Sequence, residues 1–311
     1  MIVLNVARPA GQADPVELAG DALAAGLDGV ALADSPRLFP DCLVETERVL
    51  SATPARLVGP CVLSLGLRHP AAVAGALRTL DAHHPGRVLA VVGRGESSVR
   101  NEGLAPPTLR AYEASLGTLR EMVPALVLLL GAASGPRTIA ATAARLGGVL
   151  IDAGADPAIV GKAVALARST RADVKVWMFV RAVVTDDEAG ADAAAAPVLG
   201  SCAARLVQAP DWFDVPATLR PGVAAVAAAH DYRRHGTADA RAGGDVPAEA
   251  DRFVREHFVV TGDGRAVAER FAAFSAAGVD GVVLAGALGG VLDRLDDLGR
   301  AVRDGMTKDG R

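Results

Sequence analysis

Aromatic residues are scarce in this sequence: they make up 4% of the 311 residues, with two Trp and two Tyr. Hydrophobic residues nevertheless make up 51%, so the core must consist mostly of Ala, Val and Leu. A ligand pocket would therefore offer few aromatic surfaces for stacking. With 22% charged residues the composition excludes global disorder, and the length suffices for two ordinary domains or one large α/β barrel.

Cysteine is also rare. Cys42, Cys61 and Cys202 lie far apart and in no metal-ligand spacing, which indicates reduced thiols rather than a disulfide framework or a zinc site. No apolar run reaches membrane-spanning length, and the N-terminus has no basic leader. We therefore expect a cytoplasmic protein without a metal site or a membrane partner.

Basic blocks are absent as well. The formal net charge is −4, and no segment interleaves basic with aromatic residues. Because nucleic-acid binding surfaces are rich in clustered Lys and Arg, we expect no nucleic-acid partner.

Short apolar runs recur along the chain, and each is followed by turn residues and an alanine-rich helical pattern. This alternation predicts a parallel sheet covered by helices, and eight units predict an α/β fold of the (β/α)8 TIM barrel type. A doubly wound open sheet is the alternative, although residues 6–11 lack the G-x-G-x-x-G fingerprint of its dinucleotide-binding form. The predicted strands are residues 2–6, 30–33, 57–63, 88–92, 126–130, 148–151, 174–184 and 282–285.

The alternation of strand and helix patterns is interrupted between the seventh and eighth predicted strands. Residues from about 186 to 257 are helical and loop-like in pattern, with several prolines. We expect a single domain over residues 1–311 that carries this segment as a helical insertion. The final helix is predicted at about residues 291–303.

The loop after the fourth predicted strand reads Gly93-Arg94-Gly95-Glu96-Ser97-Ser98. Glycine allows a ligand to approach the backbone, arginine supplies a forked cation, and the serines add neutral donors. This combination is typical of an anion-binding loop. A surface turn with a solvated charge, in which Glu96 is the ion-pair partner of Arg94, explains the same residues.

The loop after the fifth predicted strand contains Ser134, Gly135, Arg137 and Thr138 at the start of a helix. Free backbone N–H groups and the positive end of the helix dipole would face an anion there, on the loop next to Arg94. Together the two loops would form one phosphate site. Plain helix capping by Ser134 is the alternative.

Two further polar residues follow predicted strands. Asp34 would orient a substrate or act as an acid/base, unless it is only an N-cap or turn residue before Pro36. His69, before Pro70, is expected to fix the turn into the next helix. The sequence contains no G-x-S-x-G elbow, no P-loop and no H-E-x-x-H motif.

Several motifs resemble those of one known family. The runs 67–70, 79–81, 86–88 and 93–98 look like the central block of luciferase-like monooxygenases, and most resemble the branch that uses coenzyme F-420, often labelled methylenetetrahydromethanopterin reductase-like. Residues 132–138, and further along 258–262 and 277–280, are similar to that family's later motifs.

The resemblance implies a (β/α)8 barrel that holds a flavin or deazaflavin at the C-terminal ends of its strands. It implies that Arg94, Ser97 and Ser98 contact the cofactor, with residues 134–138 completing a phosphate cradle. It places Ser64 where the family often has a strained, sometimes cis, peptide, and Asp34 near the substrate.

The implied activity is hydride transfer between coenzyme F-420 and a small organic substrate, in a homodimer. An FMN-dependent monooxygenase and a non-catalytic flavin-binding barrel are the alternatives. The segment 101–126 is shorter than the family usually shows, so a lid element is expected to be reduced.

Overall fold

A computed structural model describes residues 1–9, 11–234, 240 and 246–307 of the chain. In this part of the chain ten strands lie in parallel register. They are β1 (Ile2–Val6), β2 (Gly29–Leu32), β3 (Leu57–Pro60), β4 (Leu63–Ser64), β5 (Leu89–Gly93), β6 (Leu128–Ala133), β7 (Gly148–Ile151), β8 (Lys175–Ala182), β9 (Val259–Val260) and β10 (Gly281–Ala285).

The strands close into a ring, which confirms the TIM barrel and excludes the open sheet. The order is β3-β2-β1-β10-β8-β7-β6-β5-β4, with β9 paired to the end of β8. Segments β3 and β4 together fill the third barrel position, because β3 pairs with β2, β4 pairs with β5, and Val58 bridges to Val88. A cis peptide bond joins Cys61 to Val62 between the two segments.

Thirteen α-helices are found in the described residues. Those that follow barrel strands are α1 (Pro15–Ala24), α2 (Cys42–Ala52), α3 (Pro70–His83), α4 (Ser97–Asn101), α5 (Leu109–Met122), α6 (Pro136–Leu146), α7 (Pro157–Thr170), α12 (Gly264–Ala277) and α13 (Leu295–Met306). Between β8 and β9 lie α8 (Glu188–Ala195), α9 (Leu199–Gln208), α10 (Arg220–Ala228) and α11 (Ala248–Phe258). A short 3₁₀ turn covers residues 232–234; residues 235–239 and 241–245 of the expected insertion lie outside the described residues.

Most barrel helices begin where the sequence supplies a capping side chain. Asp14, Asp41, His69, Thr108 and Asp156 each accept a hydrogen bond from a backbone N–H of the first turn. Such caps satisfy donors that have no partner inside the helix. The prediction that His69 fixes the turn into α3 is confirmed, since its Nδ1 accepts from the N–H of Ala71 at 3.2 Å.

Three predicted boundaries are wrong. Strand β6 begins at Leu128 rather than Leu126, because residues 124–127 form a turn that leaves Leu126 exposed. The last helix begins at Leu295 rather than 291, after a series of turns. Residues 97–101 form a helical turn instead of a loop.

Within the described residues, no helix is both long enough and apolar enough to cross a lipid bilayer.

Candidate functional site

The barrel interior is apolar along most of the strands and polar towards their C-terminal ends. Alternate residues of each strand point inward, and the inner cluster includes Leu150 of β7 and Trp177 of β8. Continuing two residues at a time along the same faces leads to Asp152 beyond β7, and to Phe179 and Arg181 within β8. Polar side chains are thus concentrated at the C-terminal ends of the strands, which we call the mouth of the barrel.

Asn5 of β1 contributes to this polar layer. Its Nδ2 donates to the carbonyl oxygen of Cys61 at 2.7 Å, next to the cis peptide bond. The side chain is buried and its amide holds the third barrel position against the first. The resemblance placed the unusual peptide at Ser64; in the structure it lies upstream, between Cys61 and Val62.

Asp34 lies at the mouth, but its two oxygens are both engaged. Oδ2 accepts from the backbone N–H of Ser64 at 2.9 Å, and Oδ1 accepts from Arg68 Nη2 at 3.0 Å. The side chain is only 2% exposed. Asp34 caps no helix, since the cap of α2 is Asp41, which shares Arg68 with it. This geometry suits a residue that positions the Ser64 segment; a role as acid/base stays a prediction.

The loop from Gly93 to Ser98 packs tightly on Ser64. Gly95 has a φ of +75°, and a Cβ at this position would come within 2.0 Å of Ser64 Oγ. Ser64 is fully buried, and its hydroxyl has no hydrogen-bond partner among the described residues. Ser64 therefore supports the loop from beneath and is shielded from the mouth by Gly95.

Arg94 is held by its Nε, which donates to the carbonyl oxygen of Pro107 at 2.7 Å. It has no carboxylate partner in the described ranges. Glu96 pairs instead with Arg100 at 2.6 Å, so the predicted Glu96–Arg94 pair is wrong. The cause is the helical turn α4, which brings residues four apart onto one face. Ser97 and Ser98 are the first residues of α4, and Ser98 is buried.

Helix α6 begins at Pro136 with Gly135 as its N-cap, and no side chain caps it. The alternative that Ser134 simply caps the helix is therefore wrong. Nothing lies within 4 Å of the position that a Cβ of Gly135 would occupy, so the space beside the helix start is open. The backbone N–H groups of Gly135 and Arg137 have no acceptor in the described part of the chain. Because β5 and β6 are neighbours, this helix start and the Arg94 loop adjoin.

A largely buried group of three charges follows β7 and β8, next to the start of α6 in the ring of strands. Arg181 donates to Asp152 through two bonds, Nη1 to Oδ1 at 2.8 Å and Nη2 to Oδ2 at 3.3 Å. Arg205, from α9, reaches the same carboxylate through Nε and bonds the carbonyl oxygen of Ser201 through Nη1 at 2.8 Å. Burial acts against the charged form, yet the two guanidinium groups lower the pKa of Asp152 to about 2.

Sequence patterns alone do not single out Arg181 and Arg205. A signal exists for Arg181, because a charged residue follows Trp177 and Phe179 on the inward face of the strand. No local signal marks Arg205, which comes from α9 in the segment between β8 and β9.

The mouth has further cationic groups and an opening. Arg8, after β1, is half-buried without a partner among the described residues, and burial lowers the pKa of its guanidinium. A cavity of about 640 Å³ is lined by Arg37, Leu38, Asn101 and Arg233. The side chain of Asn101 donates to the carbonyl oxygen of residue 232 at 2.9 Å, which ties α4 to the 3₁₀ turn beside this cavity.

The structure is thus an α/β barrel with polar and cationic side chains at the C-terminal ends of its strands, where barrel enzymes have their active sites. Residues 4–132 match the family model described as luciferase-like monooxygenase. The match confirms the resemblance over the motifs from 67 to 98 and ends before Ser134. The family comprises oxidoreductases and monooxygenases. No curated protein matches the sequence.

Several solved structures share the fold across nearly the whole chain. One is the coenzyme F-420 dependent tetrahydromethanopterin reductase from Methanopyrus kandleri, with 15% identity, a TM-score of 0.74 and coverage of 97% of this chain and 98% of that one. Another is an F-420-dependent secondary alcohol dehydrogenase, with 17% identity, a TM-score of 0.69 and 98% coverage of both chains. EDTA monooxygenase from Chelativorans sp. BNC1 has 14% identity and a TM-score of 0.60, covering 94% of this chain and 88% of that one.

Proposed function

We propose that the protein is an oxidoreductase that binds coenzyme F-420 at the barrel mouth and transfers a hydride to or from a small organic substrate. The observation that carries this proposal is the uncapped start of α6 beside the Arg94 loop. Open N–H groups at a helix N-terminus together with an unpaired guanidinium suit the phosphate of such a cofactor.

The residues present fit a phosphate-bearing flavin-type group. Ser134, with the N–H groups of Gly135 and Arg137, would hold phosphate oxygens, and Arg94 retains free Nη donors because only its Nε is engaged. Thr138 lies in the same first turn, with its N–H already bonded to the carbonyl of Gly135. When bound, the cofactor supplies the hydride chemistry, while the chain's own groups orient it and exclude water.

Support for coenzyme F-420 over FMN comes from the two solved structures with the higher TM-scores reported above, whose names specify F-420. The likeness to EDTA monooxygenase keeps an FMN-dependent monooxygenase as the second candidate. Both candidates need the same phosphate cradle, so the cofactor must be decided by binding.

The test is a titration of purified protein with coenzyme F-420 and, separately, with FMN, followed by fluorescence. We expect F-420 to bind in the micromolar range and more tightly than FMN. Tighter FMN binding with oxygen consumption by the reduced complex would favour the monooxygenase. Binding without turnover towards any substrate would indicate a non-catalytic barrel, and no binding of either cofactor would refute the proposal.

The Arg94→Ala variant tests whether the cofactor contacts the Arg94 loop. Loss of a charged hydrogen-bond donor should weaken binding by about 1.5–3 kcal/mol. Arg100→Ala is the matched control, because Arg100 lies on the adjacent helical turn but is exposed and paired with Glu96. Equal dissociation constants for both variants would make Arg94 a simple turn residue.

A further inference from the structure

The charges around Asp152 do not balance. Its carboxylate is already paired through two bonds with Arg181, and Arg205 adds a second positive charge to the same group. The side chains of Arg181, Asp152 and Arg205 are 6%, 14% and 29% exposed, respectively. Within the described residues the group thus keeps one excess positive charge, and Arg205 is its most exposed member.

Among the described residues, the surrounding titratable groups do not supply the missing negative charge. Burial raises the pKa of the thiols of Cys61 and Cys202, so both are neutral. Burial lowers the pKa of His230 and raises that of Tyr232, so these side chains are also uncharged near pH 7.

The carboxylates that act on His230 and Tyr232 have arginine partners of their own. Asp231 lies 3.7 Å from Arg234, and Glu96 lies 2.6 Å from Arg100. Neither is therefore available to neutralise Arg205.

The free donor belongs to Arg205. Its Nε bonds Asp152 and its Nη1 bonds the carbonyl oxygen of Ser201, whereas Nη2 has no acceptor in the described part of the chain. Both Nη groups of Arg181 bond Asp152, and its guanidinium carbon lies 5.0 Å from the ring centre of Phe179 and 5.6 Å from that of Phe258. Asp152 and Ser201 therefore fix a guanidinium whose remaining edge can receive a ligand.

We propose that Arg205 binds an anionic group of the substrate, a carboxylate or a phosphate, at the barrel mouth, with Asp152 and Arg181 as positioning residues. Buried charges in proteins are normally paired, and a guanidinium recognises both groups with parallel hydrogen bonds. The site adjoins the cradle at α6, since β6 and β7 are neighbours, but it is built from different side chains. The assignment of the anion to the substrate rests on the proposed function, whereas the anion site itself rests only on this geometry.

The test is calorimetric titration of the purified protein with inorganic phosphate and with acetate at low ionic strength. Arg205→Met should weaken anion binding at this site on the order of ten- to a hundred-fold, the scale of a lost charged hydrogen bond. Arg171→Met is the matched control, because Arg171 is paired with the exposed Asp173 outside the mouth. Equal binding by wild type and Arg205→Met would overturn the proposal.

A second variant keeps the test valid if Arg205→Met fails to fold. Asp152→Asn removes the competing carboxylate and leaves two positive charges, so it should bind phosphate more tightly than wild type. Unchanged or weaker binding would contradict the charge argument.

Cofactor binding by the Arg205→Met variant decides whether the anion belongs to the substrate or to the cofactor. If Arg205→Met leaves the F-420 and FMN dissociation constants unchanged, the site serves a substrate group. If they rise in parallel with the loss of phosphate binding, the site belongs to the cofactor and the assignment to substrate is overturned. Should wild-type protein bind phosphate through Arg205 but neither cofactor, the proposed function fails and the anion site stands.

Discussion

Replacing Asp34 by Ala removes the carboxylate that joins the second and third barrel positions. The N–H of Ser64, in a fully buried residue, would lose its acceptor at 2.9 Å, and Arg68 would lose one of its two carboxylate partners. The perturbation therefore tests whether Asp34 is a structural link at the mouth.

The expected cost follows from these two losses. A buried donor left without an acceptor costs about 1–3 kcal/mol. Breaking a buried ion pair costs about 3–5 kcal/mol, but Arg68 is 24% exposed and keeps Asp41, which reduces that loss. We expect the free energy of unfolding to fall by about 3 kcal/mol.

The assay is urea unfolding at neutral pH, followed by circular dichroism. Asp173→Ala is the control, because Asp173 also pairs with an arginine but is 74% exposed, and such pairs contribute at most about 1 kcal/mol. A loss below about 1 kcal/mol in Asp34→Ala, or one equal to the control, would refute the structural role.

Two further predictions concern the mouth. Gly95→Ala should destabilise the protein by about 1–3 kcal/mol more than Gly86→Ala. Both glycines have φ near +70°, but only at Gly95 would the added Cβ come within 2.0 Å of Ser64 Oγ. Equal melting temperatures of the two variants would show that the loop simply shifts. The folded pKa of Asp152, about 2, lies below its unfolded value, so its contribution of about 2–3 kcal/mol is present above about pH 4 and is lost as pH falls through 2. In urea unfolding, the stability difference between wild type and Asp152→Asn should shrink over that interval, and a constant difference would contradict the assignment.

The fold could be predicted because its determinants are local. Each strand is a short apolar run, and most following helices begin at a capping residue visible in the sequence, such as Asp14 or Asp156. The position of the site followed from a general rule of barrels rather than from any one residue. Boundaries failed where apolar content misleads, as at Leu126, which is apolar yet lies in a turn.

Partners of the charged residues could not be predicted, because they depend on three-dimensional proximity. Asp34 bonds Arg68 over 34 residues, and Arg205 reaches Asp152 from α9. Glu96 was assigned to Arg94 because both stand in one short motif, whereas the helical turn gives it to Arg100. Sequence patterns thus located the loops, and packing decided which side chains in them remain free.

The distribution of free charge argues for the kind of ligand that the mouth accepts. The whole chain carries a formal net charge of −4. Yet Arg8 and Arg94 have no carboxylate partner among the described residues, and Arg205 shares one that Arg181 already occupies. These cations lie at the ends of strands, where walls of low polarity weaken solvent screening, so we expect a positive local potential beside them although the protein carries a net negative charge. A neutral ligand would gain nothing from this arrangement, whereas an anionic one would be attracted and oriented, with an affinity that falls as salt is added.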